Sequence, residues 1–228
     1  MDFLHLGECM ALLDNLFWIG HASFYVKSEK GTLFIDPYAI PEGFKERADI
    51  VLVTHAHFDH CSIGDIRRVS KPGAKIVAAP QCLEGDKSVI RSRPGARHSF
   101  GTVTIEAVPA YNVREERLQF HPRANGWVGY RVTIGGETLY HAGDTDRIDE
   151  MDGLDADVAL LPMGGTYTMD TGEAIEAAKS LHASNVIPMH YKRLLGKEGS
   201  EKAEARFREH VKGAVIMREV IAPAYSFQ

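Results

Sequence analysis

Cysteine is scarce in this chain. Cys9, Cys61 and Cys82 are the only three among 228 residues. An odd, sparse set excludes a disulfide framework and fits a reducing cytosol, so a cytoplasmic location is expected. No apolar run approaches the length of a membrane span, which excludes a transmembrane segment. The first residues carry Asp2, Glu8 and Asp14 and no basic region, so they do not form a secretory signal. Positive charge is not in excess either. Lys and Arg number 26 against 31 Asp and Glu, a net charge of -5 that argues against nucleic acid as the partner. No Pro/Gly/Ser-rich linker breaks the composition, and residues 1–228 are read as one domain. With 44% hydrophobic and 25% charged residues, the chain has material for a sizeable globular core.

What is present is concentrated in one stretch, Thr54-His55-Ala56-His57-Phe58-Asp59-His60. It holds three histidines and one aspartate within six residues. Ile50-Val51-Leu52-Val53 just before it reads as a short buried strand that delivers the cluster into a loop. Neutral imidazole and carboxylate suit zinc, manganese, iron or nickel. Alternate residues of a loop can turn to one side, which lets His55 and His57 share one ion while Asp59 and His60 reach toward a second. The plain alternative is a polar loop with capping histidines. Cys61, next in sequence, reads as a small buried residue ahead of a helix.

Along the chain, Phe17–Val26 and Thr32–Ile35 read as strands, with a turn at Ser28-Glu29-Lys30-Gly31. His21 interrupts the first. Asp36-Pro37 ends the second and leaves a carboxylate at a strand end, suited either to an Asx turn or to accepting a ring N–H from a metal-bound histidine. Ser62–Val69 reads as a short helix with Ser62 as N-cap, and Lys75–Ala79 as a strand. Residues 81–99, with Arg91, Arg93, Arg97 and His98, read as a solvated face. Gly101–Ala110 alternates like a strand, and Trp127–Ile134 with Thr138–Ala142 reads as a hairpin across Gly135-Gly136. Between them, Tyr111–Gly126 is long and irregular, the kind of loop that often carries function. Val158–Leu161 and Val186–Met189 read as buried strands around a helix at Thr171–Leu181. Ser200–Val211 reads as a charged helix and Val215–Ile221 as a last strand. Periodicity by itself gives a mixed α/β or α+β domain. His5, His98, His182 and His210 have no motif around them and read as surface or packing residues.

The His-Ala-His-Phe-Asp-His run matches the His-x-His-x-Asp-His signature of the metallo-β-lactamase superfamily, and the chain resembles that superfamily over nearly its whole length. Trp18-Ile19-Gly20-His21-Ala22, Tyr140-His141-Ala142-Gly143-Asp144-Thr145, Pro162-Met163-Gly164-Gly165 and Pro188-Met189-His190 add to the resemblance. Within the superfamily it is similar to the branch of small metal-dependent hydrolases that includes the L-ascorbate-6-phosphate lactonase. The resemblance implies a four-layer αββα sandwich. It also implies two divalent ions, zinc or manganese before nickel or iron. His55 and His57 match ligands of the first ion, and Asp59, His60 and His190 match those of the second. Asp144 matches the bridging carboxylate. Between two such ions a shared water or hydroxide is acidified enough to act as a nucleophile near neutral pH. Asp59 and His60 are the expected catalytic pair.

One position departs from the family pattern. A third histidine of the first ion is expected after a strand in a Pro-x-His setting, and this chain reads Pro109-Ala110-Tyr111-Asn112. His121, ten residues further on, is the candidate replacement; otherwise it is an ordinary loop histidine before Pro122. His141, three residues before Asp144, suits a structural role at a strand end or a place behind the ligands. Tyr167, Thr168 and Met169 read as helix lead-in, with pocket lining as the alternative. Arg114, Arg117 and Arg123 share the loop with His121, and Lys192 and Arg193 follow His190. Cations there favour a small-molecule substrate with an anionic group. The reaction expected is hydrolysis of an ester, lactone or phosphodiester. The alternatives are a phosphodiesterase or ribonuclease of the same superfamily and a non-catalytic metal-binding protein that keeps the fold. Homo-oligomerisation stays open.

Overall fold

The computed structural model describes residues 11–220, so Asp2, His5, Glu8, Cys9 and Ile221 lie outside the described residues. The first half builds a six-stranded sheet from β1 (Leu16–Gly20), β2 (Ser23–Ser28), β3 (Gly31–Ile35), β4 (Ala48–Val53), β5 (Ser70–Ala78) and β6 (Ile90–Arg91), in that spatial order. β1 to β3 pair antiparallel, and β3 to β6 pair parallel. Helix α1 (Ile63–Val69) makes the crossover from β4 to β5. The second half builds the other sheet from β7 (Arg97–Phe100), β8 (Val103–Pro109), β9 (Val128–Ile134), β10 (Glu137–His141), β11 (Asp155–Pro162) and β12 (His182–Met189). Here too the early strands pair antiparallel and the late ones parallel. Helix α2 (Thr171–Ser180) crosses from β11 to β12, and α3 (Lys192–His210) follows. Both halves therefore run from hairpins into crossovers, although no repeat is visible in the sequence.

The outcome is the expected sandwich of two mixed sheets with a small complement of helices. Trp18, Phe24 and Tyr130 on the inner faces are fully buried, as are Phe34 and Tyr140 on the opposite faces, and side chains of both sheets form one connected apolar cluster. Hydrogen bonds also tie the sheets together. Tyr130 Oη donates to the Val53 carbonyl at 3.0 Å, and the amide of Val128 donates to the Thr54 carbonyl at 3.1 Å. The alanine stripe of α2 is buried as its spacing requires, and Asp170 with Glu173 closes a capping box at its start. Ser62 caps α1 as expected, its hydroxyl accepting from Asp65 N. No helix among the described residues is long and apolar enough to cross a membrane.

Three expectations need correction. Phe17–Val26 is not one strand, because Gly20 (φ 147°) and His21 (φ 54°) turn the chain back, and Gly20 pairs with Ser23. Val215–Ile221 forms no strand among the described residues. The segment instead straps two sheet edges: the Val215 amide bonds to the Val186 carbonyl of β12, and the Val220 amide to the Trp18 carbonyl of β1. The last helix starts earlier than Ser200, at Lys192, with a break at Gly196 (φ 65°, ψ -174°).

Gly129 in β9 shows how tightly the sheet end is built. A Cβ there would lie 2.5 Å from the His141 carbonyl oxygen and 2.6 Å from that of Ala142. These are backbone atoms that cannot swing away. Gly129→Ala is expected to lower the urea-unfolding midpoint by the equivalent of roughly 2–3 kcal/mol, the range of a strained small-to-large change in a packed interior.

Candidate metal centre

The candidate residues gather where several strands end. β4 lies between the parallel β3 and β5 and releases the chain at Thr54. There the fully buried carboxylate of Asp36, at the end of β3, holds the loop. It accepts from Thr54 N at 2.8 Å, Thr54 Oγ1 at 2.6 Å and His60 Nδ1 at 2.7 Å. Of the two roles open to Asp36 in the sequence, the structure selects the one behind a histidine. With Nδ1 donating to Asp36, His60 presents Nε2 to the interior, 3.5 Å from Asp144 Oδ1. Thr54 Oγ1 lies 3.0 Å from His55 Nδ1 and steadies that ring as well.

Asp144 arrives from the end of β10. Gly143 (φ 68°) turns the chain so tightly that a Cβ would meet the Val128 carbonyl oxygen at 2.9 Å. The buried carboxylate of Asp144 then faces four rings. Its Oδ2 is 3.1 Å from His190 Nε2, 3.4 Å from His121 Nε2 and 3.9 Å from His55 Nε2, with His60 on Oδ1. His190 (φ 57°) ends β12, and its amide donates to the His21 carbonyl at 3.0 Å. The rings of His21 and His190 lie 3.9 Å apart, and His21 Nε2 is 3.0 Å from Asp59 Oδ2.

His121 reaches the cluster from the irregular loop. Its Nδ1 donates to Asn112 Oδ1 at 2.8 Å. The other end of that amide is committed, because Asn112 Nδ2 donates to Asp146 Oδ1 at 3.0 Å and to the Tyr167 carbonyl at 3.1 Å. The amide orientation is thereby fixed, and the His121 tautomer that leaves Nε2 as an acceptor follows. Arg117, almost fully buried, anchors the loop beneath. It pairs with Asp146 at 3.1 Å and Glu173 at 2.7 Å, and donates to the Thr168 carbonyl. Tyr111 turns the other way, with its hydroxyl on Glu150 at 2.9 Å and Arg123 stacked over its ring. Trp127 packs against the His55, His57 and His121 rings.

Three overlapping groups of side chains result, each with potential ligand atoms within 4.8 Å of one another: His55, His57 and His121; His21, Asp59, His60 and His190; and Asp36, His55 and His60. Among these residues and the neighbouring Asp144, His60 Nε2, His121 Nε2, His190 Nδ1 and Asp144 Oδ1 are buried without a hydrogen-bond partner. Such atoms are costly unless something else engages them. Burial, reinforced by neighbouring rings, pushes His55 well below the usual imidazole range and His57 down in the same direction. Burial and the facing His190 bring His21 down to about 4. Burial works against the charged forms of Asp144 and Asp59 too. Their histidine neighbours outweigh it, His190 and His60 foremost for Asp144 and the His21 hydrogen bond for Asp59, and both carboxyls lie below their usual range. His60 goes upward despite burial, because Asp144 and Asp36 both favour its charged form. Acceptor rings beside ionised carboxylates form a donor set that fits a divalent metal ion.

His21, which sequence reasoning left out of the candidate ligands although its motif was visible, joins the group of Asp59, His60 and His190. Asn112 and Asp146 gave no signal, because their partners are distant in sequence. His141 is structural: Nε2 donates to the Ala22 carbonyl at 2.8 Å and Nδ1 accepts from Gly143 N at 3.1 Å. His98 bonds Ser92, and His182 and His210 are at the surface. The loop cations are largely engaged, Arg114 by Glu173 and Arg123 by Glu150, while Lys192 lies over Trp18. Arg91 is not simply solvated either, since its guanidinium donates to the Leu83 carbonyl at 2.8 Å.

Comparison with known proteins agrees with this geometry. Residues 15–190 match the beta-lactamase superfamily domain. A UPF0173 metal-dependent hydrolase of Pyrococcus abyssi is 36% identical over 193 residues, covering 76% of this chain and 83% of that protein. One from Methanoculleus marisnigri is 37% identical over 191 residues, covering 78% and 80%. Among solved structures, a metal-dependent hydrolase from Parabacteroides distasonis superposes with a TM-score of 0.80 at 30% identity, covering 90% of this chain and 93% of that one. A family match over most of the chain, a shared sandwich and a histidine–aspartate cluster at its strand ends together establish that this protein belongs to the metallo-β-lactamase superfamily, among its metal-dependent hydrolases.

Proposed function

We propose that the chain holds two divalent ions and hydrolyses an ester, lactone or phosphodiester bond. His55, His57 and His121 take the first ion, Asp59, His60 and His190 take the second, and Asp144 lies between them. The observation that carries this reading is the convergence on the Asp144 carboxylate of His60 Nε2 and His121 Nε2, both buried without a hydrogen-bond partner, together with His190 Nε2. Zinc and manganese suit a site of imidazoles and carboxylates. Bound there, the ions would acidify a water near neutral pH and polarise the oxygen of the scissile group.

The remaining work falls to side chains. Asp59 is 24% exposed, whereas Asp36 and Asp144 are 0% and 3%, so Asp59 is the cluster carboxylate that an incoming water meets. Hydrogen-bonded to His21, it is placed to orient that water and to pass its proton toward the leaving oxygen. His60, fixed from behind by Asp36, holds the floor of the site in register. The bond to the leaving oxygen breaks as water adds, giving an acid and an alcohol. The non-catalytic reading drew its support from Tyr111 standing where a histidine is expected, and His121 beside His55 and His57 takes that support away.

Metal content per chain tests the ligand set. For protein purified without chelator, mass spectrometry is expected to find two ions in the native form and one in His121→Ala. Asn112→Leu removes the acceptor that orients His121, and affinity for the first ion is expected to fall about 10–100-fold. Two tightly held ions in every form would remove His121 and Asn112 from the centre.

Asp59→Asn tests the chemistry. Hydrolysis is expected to drop by at least about 100-fold, the scale of a lost proton-transfer group, with the circular dichroism spectrum unchanged. Undiminished turnover in the folded variant would rule out this role for Asp59.

A further inference from the structure

The cluster opens toward solvent beside His57 and Asp59, and two aromatic pairs, each with one exposed member, lie next to its residues. Phe58, between those two residues, is 74% exposed, the highest value among the large apolar side chains described. Its ring meets the edge of Tyr38 at 6.0 Å, and Tyr38 lies 6.0 Å from the His21 ring. Phe120, immediately before His121, meets Tyr167 edge-on at 4.8 Å. Tyr167 is 39% exposed, and its carbonyl accepts from Asn112, the side chain that holds His121. The group of His55, His57 and His121 and the group of His21, Asp59, His60 and His190 are thus each flanked by one aromatic pair. Leaving large apolar groups in water forgoes burial energy, and a patch of them at a polar site marks a binding surface.

Charge points the same way. Arg114, Arg117 and Arg123 are engaged by Glu173, Asp146 and Glu150, Lys192 by the Trp18 ring and Arg193 by the Tyr38 ring. An anionic substrate group would share each of these cations with a partner already in place. An uncharged apolar group would displace only water.

We propose that the substrate carries an aryl or alkyl arm that packs between the Tyr38–Phe58 and Phe120–Tyr167 pairs, so that the site takes an apolar ester or lactone rather than a sugar phosphate. The proposal rests on the hydrolase reading above. In the reaction, water adds to the acyl carbon, the acyl C–O bond breaks, and the products are the carboxylic acid and the alcohol.

Hydroxamates separate the two readings, because the head group ligates bound metal and the arm reports on the mouth. Acetohydroxamate, octanohydroxamate and 4-phenylbutanohydroxamate are titrated calorimetrically into the metal-loaded full chain and into Phe58→Ala/Tyr167→Ala. Both side chains are exposed, so their removal leaves the core intact. The long arms are expected to bind at least about tenfold tighter than acetohydroxamate in the native protein, and the gain is expected to shrink below about threefold in the double variant. Acetohydroxamate binding with no gain from either arm would overturn the apolar mouth and leave the metal centre standing. A gain that survives the double substitution would overturn the assignment to these residues. No hydroxamate binding by the metal-loaded chain would overturn the hydrolase site and this proposal with it. Glucose 6-phosphate displacing octanohydroxamate more strongly than octanol does would overturn it in favour of an anionic substrate. A native dimer that becomes monomeric in the variant would identify the aromatic rim as a contact between two copies and overturn it as well.

Discussion

A buried carboxylate surrounded by imidazoles is the constraint on which this molecule turns. The Asp144 side chain is 3% exposed and lies within 3.9 Å of His55, His60, His121 and His190. So dense a polar cluster in a protein interior must be held in place against the cost of its burial. The sandwich provides the means. Strand ends of two sheets meet at one rim, and each delivers a short polar segment at a fixed height. Asp36 bonds Thr54 and His60, and the His21 carbonyl bonds the His190 amide across the sheets. The positive φ values of His21, Asp36 and His190 fall at these strand ends. Left-handed backbone is costly for such residues, and it persists where the surroundings dictate it.

Strands were legible in the sequence to the extent that their information is local. β4, the β9–β10 hairpin and the α2 stripe follow from apolar runs, paired glycines and alanine spacing, and all three form. Phe17–Val26 reads as one strand because apolar residues flank Gly20-His21 on both sides, and nothing in periodicity separates one long strand from two short ones joined there. The Val215–Ile221 run has strand composition, yet its amides are shared between β12 and β1. Composition records the capacity to pair and not the number of partners.

The candidate site divides along the same line. His55, His57, Asp59 and His60 sit together in sequence, and their density alone announces them. Asp144, His190 and His121 are single residues whose meaning depends on long-range folding. The first two carried short motifs. His121 carried none, and only the gap left by Tyr111 pointed to it. Its supports, Asn112, Asp146 and Arg117, were beyond sequence reasoning, because an asparagine after a strand and an arginine in a loop are ordinary surface residues until the fold assembles them.

That assembly explains how an irregular loop can present a ring as firmly as a strand end does. A strand fixes its terminal side chain through the hydrogen-bond ladder. The loop has no ladder, so it uses a buried guanidinium. Arg117 joins the loop to Glu173 at the start of α2, to the Thr168 carbonyl before it and to Asp146 after β10. Three separate stretches of chain are thus joined through one side chain, and Asp146, so held, orients Asn112 and through it His121. A lone buried arginine would destabilise the fold, but one paired with two carboxylates and bonded to a carbonyl specifies one geometry. The same residue that the sequence offered as a substrate-binding cation is therefore better understood as the fixture that holds His121 in the cluster.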